Sequence, residues 1–178
     1  MKVRKAKVGK ASVSEEDLIY QCLPAGYLDS YMCDFECNCD ITADDVQVGI
    51  WTDFPPWLRG MFKLRNFLVK PFKLKSGGSA GWDENTIKAI RQGEGSGGFG
   101  RVFCKSEDET IIYYEDKHLD LYFSTRVMIL NNDCRRIKAT TLVKFHNWLG
   151  RVYFAVIFLF HRFIVKSTLK RVIRKFSQ

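Results

Sequence analysis

The 178-residue sequence has no uninterrupted stretch of about 20 apolar residues, the length a helix needs to cross a bilayer. Its clearest apolar run, Val152–Phe160, is closed by Arg151 on one side and His161-Arg162 on the other. That pattern suits a buried helix and excludes an integral membrane segment. The basic N-terminus (Lys2, Arg4, Lys5, Lys7, Lys10) has no apolar segment behind it, which excludes a signal peptide and makes the cytoplasm the expected location. There is no Cys-x-x-Cys pair among the six cysteines. Cys33, Cys37 and Cys39 are close in sequence, but the three histidines lie far away, so no metal site is expected. Without an export signal the thiols are expected to stay reduced. Acid is missing from Phe54 to Gly81 and again after Asp133, which leaves a net charge of +8 and a pI near 9.2. Such an excess favours an anionic surface. The aromatic residues sit at core spacings rather than on stacking platforms, so nucleic acid is not the expected partner.

The chain also lacks repeats and low-complexity tracts, and its 46% hydrophobic content suits one domain with a substantial core. Residues 1–17 read as a basic, mobile arm and 18–178 as a single domain. Tyr27–Cys39 is a predicted strand, with Tyr31, Cys33, Phe35 and Cys37 on its inward face. Thr42 is a candidate N-cap, and Asp44 and Asp45 fall in the first turn, where the helix dipole favours anions. Pro55-Pro56 ends that helix and opens a second, running to about Leu68. Ser76–Ser79 is loop, and Asp83–Arg91 fits either a short helix or a strand. Phe99–Lys105, Thr110–Leu130 (bent near Lys117) and Cys134–His146 read as strands. One helix then runs from Trp148 to about Phe176, ~40 Å long, with Arg162, Lys166, Lys170 and Arg174 as its solvent stripe. The expected class is α+β: an antiparallel sheet with two short helices after the first strand and a long C-terminal helix across its apolar face.

Asn131-Asn132-Asp133 is turn chemistry and implies a hairpin. A three-residue turn pairs Leu130 with Cys134, Arg126 with Lys138, Asp120 with Lys144 and His118 with His146. In this register Leu119, Leu121, Phe123, Val127 and Ile129 share a face with Ile137, Ala139, Thr141, Val143 and Phe145, so pairing and apolar pattern agree. Arg126 opposite Lys138 is discordant, because like charges repel. The opposite, polar face is expected to be solvated. It gathers His118, Asp120, Lys144 and His146, with Asp116 on the same side. Histidine titrates near neutrality, which makes His118, Asp120 and His146 candidate acid–base groups.

Gly95-Ser96-Gly97-Gly98-Phe99-Gly100-Arg101-Val102 fits the glycine-rich pattern of protein kinases, but no Val-Ala-x-Lys, His-Arg-Asp or Asp-Phe-Gly follows. The phosphate-binding lysine of P-loops is absent, and the loop precedes a strand rather than a helix. No nucleotide or other cofactor is therefore expected.

Pro56-Trp57-Leu58-Arg59, Leu64-Arg65-Asn66, Asp116-Lys117-His118-Leu119-Asp120, Phe145-His146-Asn147-Trp148-Leu149-Gly150-Arg151-Val152-Tyr153-Phe154 and Phe160-His161-Arg162 together resemble a bacterial family of uncharacterised domains. The resemblance runs from about Tyr27 to Lys175. It implies a domain found free-standing and C-terminal to short-chain dehydrogenase-like domains, and brings no established activity. The element order is also similar to the helix-grip fold of START and polyketide-cyclase-like proteins, which implies an apolar cavity between sheet and long helix, at the level of fold analogy.

Three functions follow as expectations. The first is a small-molecule-binding domain whose apolar cavity is lined by Phe123, Val127, Phe145, Val152 and Val156. The second is an enzyme using His118, Asp120 and His146 on a small organic substrate. The third is a binding module for an anionic surface. Ligand identity and oligomeric state are not written in the sequence.

Overall fold

A computed structural model describes residues 7–37, 39–53, 57, 60, 84–93, 96–97 and 100–177. In chain order the described elements are β1 (Gly9–Lys10), a short 3-10 helix (Leu18–Cys22), β2 (Tyr27–Glu36), α1 (Ala43–Thr52) and α2 (Glu84–Gln92). Then come β3 (Ser96–Gly97), β4 (Gly100–Lys105), β5 (Glu109–Glu115), β6 (Leu119–Asn131), β7 (Cys134–Phe145) and α3 (Trp148–Phe176). The strands form one sheet in the order β1-β2-β7-β6-β5-β4-β3, every neighbouring pair antiparallel. Strands β3 to β7 form a local meander. Strand β2 joins it from far away in sequence, pairing Tyr27 with Val143 and Glu36 with Cys134. The expected α+β class is therefore found, with an antiparallel sheet and a long C-terminal helix.

Thr42 caps α1 as expected: its hydroxyl accepts the Asp45 N–H at 3.2 Å, and the Asp45 carboxylate accepts the Thr42 N–H at 3.1 Å. The second expected helix lies outside the described residues except for Trp57 and Gly60, as do the 76–79 loop and part of the glycine-rich loop. Of the two readings open for Asp83–Arg91, the helix is the one present, as α2.

Residues 110–130 are not one bent strand. Strand β5 ends at Glu115, the chain reverses over Lys117 and His118, and the Asp116 N–H donates to the Leu119 carbonyl at 3.0 Å. Strand β6 then runs back with Asp120 opposite Glu115. A run of adjacent charges fits a ladder poorly, and a turn lets these side chains diverge. The β6–β7 register is the expected one from Ile129↔Arg135 through Arg126↔Lys138 to Asp120↔Lys144. At the tip Asn131, not Leu130, faces Cys134. The turn is thus one residue shorter than read from sequence, and a bulge at Leu130 absorbs the difference.

The apolar face of the sheet packs under the helices. Phe123, Val127, Ile137 and Ala139, with Tyr31, Cys33 and Phe35 of β2, meet Val165, Leu169, Val172 and Ile173 of α3 and Val46 and Ile50 of α1. Helix α3 has the expected ends but is not a straight rod. Its segments Trp148–Ala155 and Phe160–Phe176 meet at 59°. The intervening residues include no proline or glycine, so the sequence carries no kink signal there. Among the described residues no single helix is long and apolar enough to cross a membrane; the bent pair passes such a test together, by length and composition only.

The other face departs from expectation, because it is covered rather than solvated. The segment ahead of β2 lies on it, and Ile19 and Cys22 form a second core with Ile111, Tyr113, Tyr122 and Leu142. These apolar side chains share a face with the polar ones of β6 and β7, and burying them requires a cover. The cover is anchored by Glu109, whose carboxylate accepts the backbone N–H groups of Leu18 at 2.6 Å and Ile19 at 3.2 Å and the Ser124 hydroxyl. From Gly9 onward the stretch read as a mobile arm is attached, with Gly9 opposite Met32 and Lys10 opposite Tyr31.

Cysteine redox state is a second correction. Cys37 and Cys39 form a disulfide, while Cys22, Cys33, Cys104 and Cys134 are free thiols. The two cysteines lie just beyond the end of β2, and their Cα atoms, 5.4 Å apart, fall within bridging range.

Candidate functional site

Two polar groups stand out, one expected and one not. The expected group sits where the β5–β6 turn meets the end of β7. The His146 Nε2 lies 3.0 Å from Asp120 Oδ2, and the Tyr113 hydroxyl donates to Asp120 Oδ1 at 3.0 Å. His118 is held there by backbone, since the His146 N–H donates to the His118 carbonyl at 3.0 Å. The His118 imidazole turns instead to the Asn147 side chain, with Nδ1 at 3.1–3.3 Å from its amide atoms. Asn147 in turn caps α3 by accepting the Gly150 N–H at 3.0 Å. A side chain at position 150 would collide with the His118 carbonyl, so glycine there lets helix and turn meet. The structure therefore joins His146 to Asp120 and gives His118 a helix-capping neighbour.

The Asp120 hydrogen bond raises the His146 pKa above its ordinary 6.5, more than burial lowers it. A raised value means the folded state favours the imidazolium; the associated stability is present below pH 6.5 and lost as pH rises through the folded pKa. His146 is exposed, so the effect is local. An NMR titration should place the His146 midpoint above 6.5, and Asp120→Asn should bring it down. An unchanged midpoint in that variant would show that the contact is not maintained in solution.

The unexpected group lies under α3. Asp29 of β2 stands opposite Thr141 of β7 on the helix-covered face. Its side chain is only 6% exposed. The Tyr27 and Tyr31 hydroxyls both donate to Asp29 Oδ2, at 2.9 and 2.8 Å, and Arg162 Nε lies 3.7 Å from the same oxygen. His161 reaches down from α3 and places Nε2 3.0 Å from the Thr141 hydroxyl. Burial pushes the His161 pKa down to about 4, with the Asp29 charge opposing and the Arg162 charge adding to that shift, so the ring is uncharged at neutrality. Burial and the bonds to Asp29 push the Tyr31 hydroxyl up to about 12 and raise Tyr27 further. Both tyrosines therefore act as donors here, not as bases.

Aromatic rings wall this group. The Tyr27 ring lies 4.6 Å from Phe154, 5.6 Å from Phe158 and 6.1 Å from His161 between centroids. The Arg162 guanidinium lies 4.7 Å over Phe158, and Lys166 Nζ 4.9 Å over Tyr31. The stripe read as purely solvent-facing thus bends Arg162 back toward Asp29 and Lys166 over the Tyr31 ring, where a carboxylate and ring faces attract them.

Of the predicted lining residues, Phe123 and Val127 are buried in the main core, Phe123 against Trp51 at 5.4 Å. Phe145 meets Phe154 edge-on at 5.6 Å, beside the Asp29 group. Val152 is 44% exposed. The Val156 side chain lies outside the described residues. Among the described residues, no three His, Cys, Asp or Glu side chains converge as metal ligands.

Sequence reasoning passed over Asp29, although a signal was present. It shares the odd-numbered face of β2 with Tyr31, Cys33 and Phe35, and a carboxylate on an inward face needs a partner. Two of its partners, Tyr27 and Tyr31, lie two positions away on the same strand face, while Arg162 comes from more than 100 positions away, which no local pattern shows. His161 and Arg162 stood out in the sequence as the end of the apolar run, as part of the Phe160-His161-Arg162 motif and, for Arg162, as part of the solvent stripe, none of which points to Asp29.

No curated protein matches the chain. A family model does match, over residues 24–168, which include every residue of both polar groups. The chain therefore belongs to the family described as protein of unknown function (DUF2867).

Proposed function

We propose that this domain binds a small molecule between α3 and the sheet, with the Asp29–His161 group as its polar anchor and Tyr27, Phe145, Phe154 and Phe158 as apolar walls. The observation that carries this reading is Asp29. A carboxylate this deeply buried is costly unless fully paired, and its donors all converge on one oxygen. Small-molecule sites typically combine apolar walls with a few convergent polar groups. The likeness to the helix-grip arrangement belongs to the same proposal: a long helix laid over an antiparallel sheet is well shaped to enclose a ligand.

Native mass spectrometry of the purified protein tests it. The expected result is a bound species of a few hundred daltons that leaves on denaturation. A protein that carries nothing and takes up nothing from a library of small apolar compounds would refute the proposal. A catalytic role for His146 and Asp120 is the second reading, favoured by the chain of hydrogen bonds Tyr113–Asp120–His146. It requires a turnover that Asp120→Asn abolishes.

A further inference from the structure

We infer that the outward side of α3, together with Trp57, is a docking surface for a bilayer containing anionic phospholipid, on which the protein lies without crossing it. The inference is independent of the small-molecule reading above, because it rests on exposed side chains rather than on the buried Asp29 group.

Helix α3 carries seven Lys or Arg residues and no Asp or Glu. Three of the cations have carboxylate partners: Arg162 pairs with Asp29, and Arg171 and Lys175 pair with Asp53. Lys170 and Arg174, one turn apart and both exposed, form no ion pair among the described residues. Seven positions before Lys170, two turns back along the same side, stands Phe163, which is 61% exposed. Phe160, one further turn back, is exposed as well. The first segment of the helix repeats this composition, with Trp148 71% exposed and Arg151 and Val152 exposed one turn on. The outward side of the second segment is thus apolar where it begins and basic where it ends.

Single exposed apolar residues are ordinary, but these form a group. The Phe163 ring meets Trp57 at 5.1 Å between centroids, and both residues remain exposed. Trp57 belongs to the acid-free stretch 54–81 and Phe163 to the acid-free stretch after Asp133. Two parts of the chain without negative charge therefore meet around a pair of open rings. Charge selects the occupant. A second copy would bring two sets of unpaired cations together, and these repel. Nucleic acid would answer the cations, but it uses rings as stacking faces, and Trp57 and Phe163 lean on each other at 50°. A bilayer with acidic lipid supplies both missing partners. Its phosphate groups attract the Lys and Arg side chains, and its headgroup boundary takes Trp and Phe rings out of water.

Flotation with two sets of vesicles tests the inference, one of phosphatidylcholine alone and one a three-to-one mixture of phosphatidylcholine and phosphatidylglycerol. We expect the intact chain to float with the mixed vesicles and not with the neutral ones, and to be released as salt rises. Each cation near an acidic surface is worth about fivefold in partition, so Lys170→Gln with Arg174→Gln should weaken binding roughly twentyfold. Phe163→Ser should weaken it at least about fivefold, because its ring no longer leaves water. Both changes fall at exposed positions and should leave the urea midpoint nearly unchanged. A measurement on the wild-type chain needs no variant: lipid brominated at the top of its acyl chains should quench the tryptophan fluorescence. Absence of flotation, equal flotation with neutral vesicles, or absence of quenching would each overturn the inference. So would a Phe163→Ser variant that binds like wild type, since only general charge attraction would remain. Tighter binding to a single-stranded oligonucleotide than to vesicles would give the surface to nucleic acid instead. A dimer that Phe163→Ser dissolves, with no flotation, would give it to a second copy.

Discussion

Asp17→Ala will lower the unfolding free energy by about 3–5 kcal/mol, read as a shift of the urea midpoint at pH 7 with little change in slope. Asp17 is only 3% exposed, and its carboxylate binds Lys138 Nζ at 2.5 Å and Arg126 Nη1 at 3.2 Å. Lys138 is itself buried on the same face. Removing the acid strands a buried ammonium next to a guanidinium, directly across the β6–β7 ladder. Losing one partner of such a set costs far more than the set contributes, because the remaining charge has neither water nor counter-ion. The double variant Asp17→Ala, Lys138→Met should therefore recover much of the loss. A double variant no better than the single one would show that Asp17 acts through packing alone. Burial by itself would push the Asp17 carboxyl up, but hydrogen bonds from Lys138, the Ser14 N–H and Arg126 outweigh it and hold the group below 3.8. The stability it supplies is present above that value and lost as pH falls through the folded pKa, so the single variant should also lack that part of the acid transition.

The second large effect is a pH window set by His161. The folded protein keeps this imidazole unprotonated down to about pH 4, whereas the unfolded chain takes up the proton near pH 6.5. Between those values the unfolded state binds more protons, so stability falls as pH drops. The stabilisation is complete above pH 6.5 and disappears progressively toward pH 4. It amounts to roughly 3 kcal/mol over the whole interval, of which roughly 2–3 kcal/mol falls between pH 7 and pH 4.5. His161→Phe keeps a ring beside Tyr27 and Phe154 and removes the titration. Its unfolding free energy should lose that much less between pH 7 and pH 4.5 than wild type does. The difference between the two profiles isolates His161 from carboxylates that titrate in both proteins. Parallel profiles would mean that the imidazole is solvated and that α3 does not hold it against Thr141.

The discordance noted in the sequence, Arg126 opposite Lys138, turns out to be the most informative pair on its face. Like charges in register on adjacent strands call for an acid between them. That acid is Asp17, 121 residues away from Lys138. The predicted His118–Asp120–His146 cluster was legible in part for a related reason. Register places Asp120, Lys144 and His146 near one another, since strand pairing carries from the turn along the ladder. It does not say which way a side chain turns once the strand ends, and His118 lies in the reversal, where Asn147 takes it. Likewise the charge run from Glu115 to Asp120 was visible as an anomaly within a strand. A tight turn is its simplest resolution, and a two-fold pattern continuing on both sides conceals it.

Local chemistry in the chain determined what repeats at short range: the two-fold alternation and register of the β6–β7 hairpin, the Thr42 cap, and the ends of the C-terminal helix. These follow from bonding and burial between neighbours only a few residues or one turn apart. Tertiary structure alone decided that the sheet is covered on both faces, that Asp17 bridges two facing cations, with Asp108 as the second partner of Arg126, and that Asp29, Thr141 and His161 share one buried site. A periodic pattern records which face a side chain occupies. It carries no record of what arrives at that face from a hundred residues away, because that depends on which packing removes the most apolar surface from water while leaving no buried charge alone.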